Sequence, residues 1–171
     1  ELVNVPTNET PQVLASGQVD AIVAWQPSSG IALQLVPGSK AIYTSADEPG
    51  LIYDVYAASP KVYATRKEEL KKFLKVWYRT VDYFYDPKTR EDAIKIMASR
   101  VGLSPAEYKK FVDGTKILTL AEARQYMTKT DGFKSVTGSS KIADDFNVAN
   151  KVYEKPEDVR SYIDFSLTLG M

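Results

Sequence analysis

The sequence predicts an α/β chain, with a small, mostly parallel sheet flanked by helices in residues 1–58 and a helical half in residues 59–171. Three observations predict it. Ala21-Ile-Val-Ala24 is an unbroken apolar run, which suits a strand covered on both faces. Just before it, Gly17 stands where a helix from Thr10 would need a left-handed C′ residue. Beyond Ser59-Pro60, apolar residues recur at helical spacing and Ser/Thr-x-x-Glu boxes punctuate the chain.

The elements follow in order. Leu2, Val3 and Val5 form a short strand stopped by Pro6. The next helix takes Asn8 or Thr10 as its N-cap and carries Val13 and Leu14. After the Ala21–Ala24 strand, Pro27 intervenes, and Ser28 or Ser29 caps a helix bearing Ile31, Leu33, Leu35 and Val36. Pro37-Gly38 closes that helix, Ala41–Thr44 is a third strand, and Ala46–Gly50 is a turn. Leu51–Ala58 is a fourth, longer strand. Thr65-Arg-Lys-Glu68 then reads as a capping box, followed by Leu70, Phe73, Leu74, Trp77, Val81 and Phe84 on one helical face. Asp86-Pro87 stops this helix, and a second from about Thr89 buries Ala93, Ile94, Ile96, Met97 and Val101 before Gly102. Ser104-Pro-Ala-Glu107 and Thr119-Leu-Ala-Glu122 are two further boxes, the first with proline at N1. Lys129–Ser140 is polar and reads as a loop. Ser139 or Ser140 starts a helix with Ile142, Phe146, Val148 and Val152, and Pro156 opens a short terminal helix or turn.

Composition narrows the chemistry. Lys+Arg and Asp+Glu are both 22, and a zero formal charge argues against nucleic acid as a partner. No apolar run approaches the ~20 residues of a membrane span. The opening Glu1–Pro6 reads as a strand already under way, not as a signal peptide, which predicts a mature fragment or a piece of something longer. With no cysteine and no histidine, disulfides, thiolate metal sites, a Ser-His-Asp triad and histidine zinc sites are impossible within the chain. No cofactor and no metal site are expected.

The stretch Leu14-Ala-Ser-Gly-Gln-Val-Asp-Ala21 followed by Trp25-Gln-Pro27 resembles the nitrate, sulfonate and taurine substrate-binding proteins of ABC importers, a family that includes binders of thiamine-pyrimidine precursors. Three more segments resemble the family in order: Leu51–Ala58 its strand crossing between lobes, Glu68–Tyr85 the long helix after it, and Val101-Gly-Leu-Ser-Pro-Ala-Glu107 its glycine-x-serine-proline-glutamate turn. The resemblance runs to about Phe165 and implies the later portion of a type II periplasmic binding protein fold. A family member has a first lobe before the equivalent of Glu1, so a missing first lobe or a second chain is an expected partner.

Candidate ligand-binding residues follow, each with a plainer alternative. Trp25, at the end of its strand, packs on a ligand or serves as a core or hinge aromatic. Gln26, at the family's variable position, offers an amide to anion or amine, or is an exposed loop residue. Asp54 lies between Tyr53 and Val55 in an apolar strand, where an unpaired buried carboxylate is costly. In taurine-type members a matching acid meets the ligand's amine, a role the resemblance carries to Asp54; the alternative is a structural salt bridge or cap. Tyr53 and Tyr56 point to opposite faces, so only one shares a face with Asp54. Asn8 sits at a helix start facing the same strand ends, where a helix N-terminus favours an anion, though capping alone also explains it. Asp47 and Glu48 read chiefly as turn residues, and Trp77, Tyr78, Tyr83 and Tyr85 as core and amphipathic surface. Lys67, Lys71, Lys72 and Lys75 form a solvated stripe or a docking face for the membrane permease.

The resemblance implies a periplasmic or extracytoplasmic solute-binding component, soluble or lipid-anchored, that closes its lobes on a small ligand without covalent chemistry. A ligand-sensing or interaction module on the same lobe is the alternative. An enzyme of the pyrimidine-precursor synthase type shares the fold but relies on histidine and a pyridoxal cofactor, and this chain has no histidine.

Overall fold

The computed structural model describes residues 1–112 and 114–171. It overturns the expected α/β class: among the described residues the regular elements are all helical, and no segment pairs into a sheet. The four runs read as strands, near residues 2–5, 21–24, 41–44 and 51–58, lie in non-helical backbone with no ladder between them. A strand exists only as a member of a ladder, because each backbone N–H and C=O needs a partner or water. Here Val23 is 98% exposed, so the side chain expected at the centre of a doubly covered strand meets solvent.

The chain forms two compact units, one of residues 1–43 with 91–116 and the other of residues 44–90 with 117–171. The crossings do not fall at Ser59-Pro60.

In the first unit a 3-10 turn, Thr7–Glu9, leads into α1, Thr10–Ala15. The expected cap at Asn8 or Thr10 is not formed: Glu9 is the N-cap without a side-chain bond, and the Thr10 hydroxyl donates back to the Thr7 carbonyl at 2.7 Å. Gly17 does take the left-handed conformation, with φ 72°. Helix α2, Ser28–Leu35, packs on α1 and buries Ala32, while Ile31, Leu33 and Leu35 stay exposed. Ser28 and Ser29 do not cap it, since Pro27 holds that position. The unit also holds all but the first residue of α5, Arg90–Arg100, and α6, Pro105–Val112. Ile94 and Ala98 are fully buried, but Ile96 and Val101, expected inside, are exposed. The Ser104 box forms as read: the Ser104 N–H donates to Glu107 at 3.0 Å and the Glu107 N–H donates to the Ser104 hydroxyl at 3.3 Å. Lys109 bridges to Glu91 at 2.7 Å.

The second unit is built on α4, Lys67–Tyr85, preceded by α3, Pro60–Thr65. Tyr78, Val81 and Phe84 form its buried face; of the face read from sequence only Val81 and Phe84 are buried, Leu70, Leu74 and Trp77 are half-buried, and Phe73 is exposed. The Thr65 box fails, because the Thr65 hydroxyl donates to the Lys61 carbonyl at 2.8 Å and Arg66 becomes the N-cap of α4. Helix α7, Leu120–Tyr126, opens on the predicted box, complete in both directions. Helix α8, Val136–Ala149, starts earlier than expected because Ser135 caps it, so Val152 lies beyond its end. Two short helices finish the chain: α9, Val159–Tyr162, packs on α8, and α10, Ser166–Leu169, packs on α4 and α7.

Close backbone approach fixes the middle of this unit. Gly50 has φ 93°, and a Cβ there would fall inside the Phe133 carbonyl group. A Cβ on Gly138 would run into the backbone of Gly132. Around these contacts the Tyr53 hydroxyl donates to the Phe133 carbonyl at 2.7 Å, Ser135 to Thr128 at 2.6 Å, and Ser139 to Leu51 at 3.2 Å. Near the C-terminus, the Tyr63 hydroxyl and the Ser166 N–H both donate to the Asp164 carboxylate at 2.6 Å. These bonds, Tyr63 first, hold its carboxyl down at about 2.

Two outcomes are expected. Gly50→Ala and Gly138→Ala each destabilise the chain by about 3 kcal/mol or more in urea denaturation. Gly17→Ala, with open space around its Cβ position, costs only about 1 kcal/mol. The Asp164 carboxyl is depressed from 3.8 to about 2, so its stabilisation is complete above 3.8 and is lost as pH falls toward 2. Asp164→Asn therefore flattens the fall in stability across that acid window, read by urea midpoints at stepped pH.

Candidate functional site

The sequence-predicted residues divide between the two units. Asn8, Trp25 and Gln26 belong to the first; Tyr53 and Asp54 belong to the second. Each set is described within its own unit.

In the first unit Trp25 ends an extended segment. Its carbonyl accepts from the Ser29 N–H at 3.0 Å, which ties it to the entry of α2. Its side chain is 60% exposed, so it is not a core aromatic. Gln26 is exposed, yet its amide runs past two glycines. Its Oε1 lies 3.0 Å from where a Gly30 Cβ would stand, and its Cγ lies 3.1 Å from that position on Gly114. The Phe111 ring closes over Gly30 from the other side. A larger residue at position 30 or 114 would displace the Gln26 side chain, so the two glycines make the space it occupies. Asn8 is exposed beside a shallow depression of about 350 Å³ that Glu9, Gln12 and Val13 help to line.

In the second unit the residues of one extended segment have different fates. Tyr53 is committed to structure. Its hydroxyl holds the Phe133 carbonyl and its ring stands 5.8 Å from that of Tyr126. Burial, and then Tyr126, push its phenol up. Asp54, next along, is exposed and makes neither a hydrogen bond nor an ion pair among the described residues. The structural salt bridge or cap weighed for it is therefore not formed. Two residues further, Tyr56 lies edge-on to both Phe73, at 4.9 Å, and Trp77, at 5.1 Å. Asp54 stands two residues before Tyr56 in this non-helical segment. Sequence reasoning named Tyr53, and not Tyr56, as a candidate contact. The signal that separates them is Phe73 and Trp77, one helical turn apart on α4.

Other charged candidates resolve into local roles. The Asp47 carboxylate accepts from the Thr44 N–H at 2.6 Å and from its hydroxyl at 2.9 Å, closing the turn, and these bonds hold its carboxyl below the usual range. In the lysine stripe, Lys71 pairs with Glu68 at 2.8 Å and Lys67 lies 4.7 Å from the Tyr63 ring centre. No group of three or more acidic side chains among the described residues is placed to hold a metal ion. No helix among them is long and apolar enough to cross a membrane.

The chemistry on offer in the second unit is a free carboxylate at Asp54 and an aromatic cluster of Tyr56, Phe73 and Trp77. No family model, curated protein or solved structure matches the chain.

Proposed function

We propose that the chain is a solute-binding component of an ABC importer, or a fragment of one, working outside the cytoplasm on a small aminosulfonate such as a taurine-like compound. One observation carries the reading. Asp54 is the acid that the family resemblance assigns to the ligand's amine, and its carboxylate is exposed and unengaged among the described residues, two residues before Tyr56, whose ring packs edge-on to Phe73 and Trp77. The carboxylate neutralises the ammonium, and the ring faces exclude water around its methylene groups. Binding needs no covalent step. Nitrate-like and pyrimidine-precursor ligands use the same family scaffold, but neither calls for a free carboxylate as an amine does.

The partner in this reading is a missing first lobe or a second chain, with the membrane permease beyond it. In the first unit Leu2, Val23 and Ile42 are exposed aliphatic side chains on non-helical backbone, which a partner polypeptide would take out of water.

Calorimetric titration with taurine, the first lobe supplied, tests the proposal. Asp54→Ala is expected to weaken binding at least tenfold, or about 1.4 kcal/mol. Isethionate, which carries a hydroxyl in place of the amine, is expected to bind the unmodified chain and the variant alike. Equal taurine affinity for both proteins would remove Asp54 from the site.

A further inference from the structure

Beyond α8 the second unit carries a groove that none of the predicted site residues enters. It encloses about 640 Å³, within the size range of small-molecule sites. One wall is α8 and the other is the segment that leads to α9. Two tyrosine side chains, Tyr153 and Tyr162, line it and remain exposed. Asp144, also in the lining, is only 5% exposed. Its two carboxylate oxygens share one backbone donor, the Glu157 N–H, at 3.2 and 3.3 Å. No cation pairs with it among the described residues. A buried carboxylate normally has a cation or several donors to offset its lost hydration. Glu154 and Glu157 add two acids to the lining against one base, Lys155.

We propose that this groove binds a small organic ammonium ion, with Asp144 as its counter-charge and the Tyr153 and Tyr162 rings as its walls. Aromatic rings around a carboxylate bind alkylammonium groups through the negative faces of the rings and the charge together. The two tyrosines separate this groove from a merely acidic surface, since a hydrated metal ion gains little from ring faces and an ammonium with methyl groups gains most. The local field agrees. The Tyr162 phenol is pushed up by burial first, and then by Asp144, Tyr153, Glu157 and Asp158. The site is separate from Asp54 and does not rest on the importer reading.

Choline is the probe, with 3,3-dimethylbutan-1-ol as its neutral isostere, titrated into the full chain and followed by NMR. Choline is expected to give saturable shifts at Tyr153 and Tyr162, and the neutral alcohol none. Asp144→Asn keeps an acceptor for the Glu157 N–H and should weaken choline at least tenfold. Tyr153→Leu, at an exposed position that leaves the fold intact, should do the same. Asp54→Ala should leave choline binding unchanged, so failure here and failure of the taurine site are told apart. The proposal is overturned if choline gives no saturable shift, if the neutral alcohol binds as well, if either groove variant binds choline like the unmodified chain, or if Asp54→Ala abolishes binding.

Discussion

The second unit depends on backbone meeting backbone at Gly50 and Phe133. Contact this close is open only to a residue without a side chain, and Gly50 also adopts a positive φ of 93° that other residues resist. From this point the chain runs out as the extended segment that carries Tyr53, Asp54 and Tyr56. Tyr53 reinforces the contact by donating to the same Phe133 carbonyl. Ser139, near the start of α8, holds Leu51 from the other direction. The free carboxylate at Asp54 is thus mounted on backbone pinned at one end by a glycine, a tyrosine and a serine. The surroundings are unusually polar for an interior, since Ser135, Thr137 and Ser139 are all buried there. The Ser135 and Ser139 hydroxyls donate to carbonyls there, while the Thr137 hydroxyl is buried without a hydrogen-bond partner among the described residues.

What could be read from sequence was what is decided within a few residues. The boxes at Ser104 and Thr119 form because donor and acceptor lie three residues apart. Gly17 and Gly102 take positive φ where helices end. On α4 the spacing located Val81 and Phe84 in the buried face but not Tyr78 beside them. Strands are a different matter. An apolar run such as Ala21–Ala24 has the same composition whether or not a second backbone lies beside it, and the partner is not written in the run. The Thr65 box fails through local competition, as the hydroxyl finds the carbonyl one turn back before it can serve the next helix. The early start of α8 is the reverse case. Thr137, Gly138 and Ser139 are poor helix formers, but burial against the loop before them and the Ser135 cap outweigh their preference.

The candidate sites were legible to different depths. Asp54 stood out as an acid in an apolar context, and the structure adds that nothing described engages it. Sequence favoured Tyr53 over Tyr56, yet their roles depend on Phe133 in one case and on Phe73 and Trp77 in the other, all distant along the chain. Asp144 gave no signal. Only the return of the chain through Glu157 encloses it.

The unpaired extended runs have one more consequence. Proteases grip their substrates as single extended strands, and most folded proteins resist because their backbone must first unfold locally to present one. Residues 21–24 already have non-helical backbone with Val23 turned outward. The chain by itself therefore offers ready cleavage points in these runs.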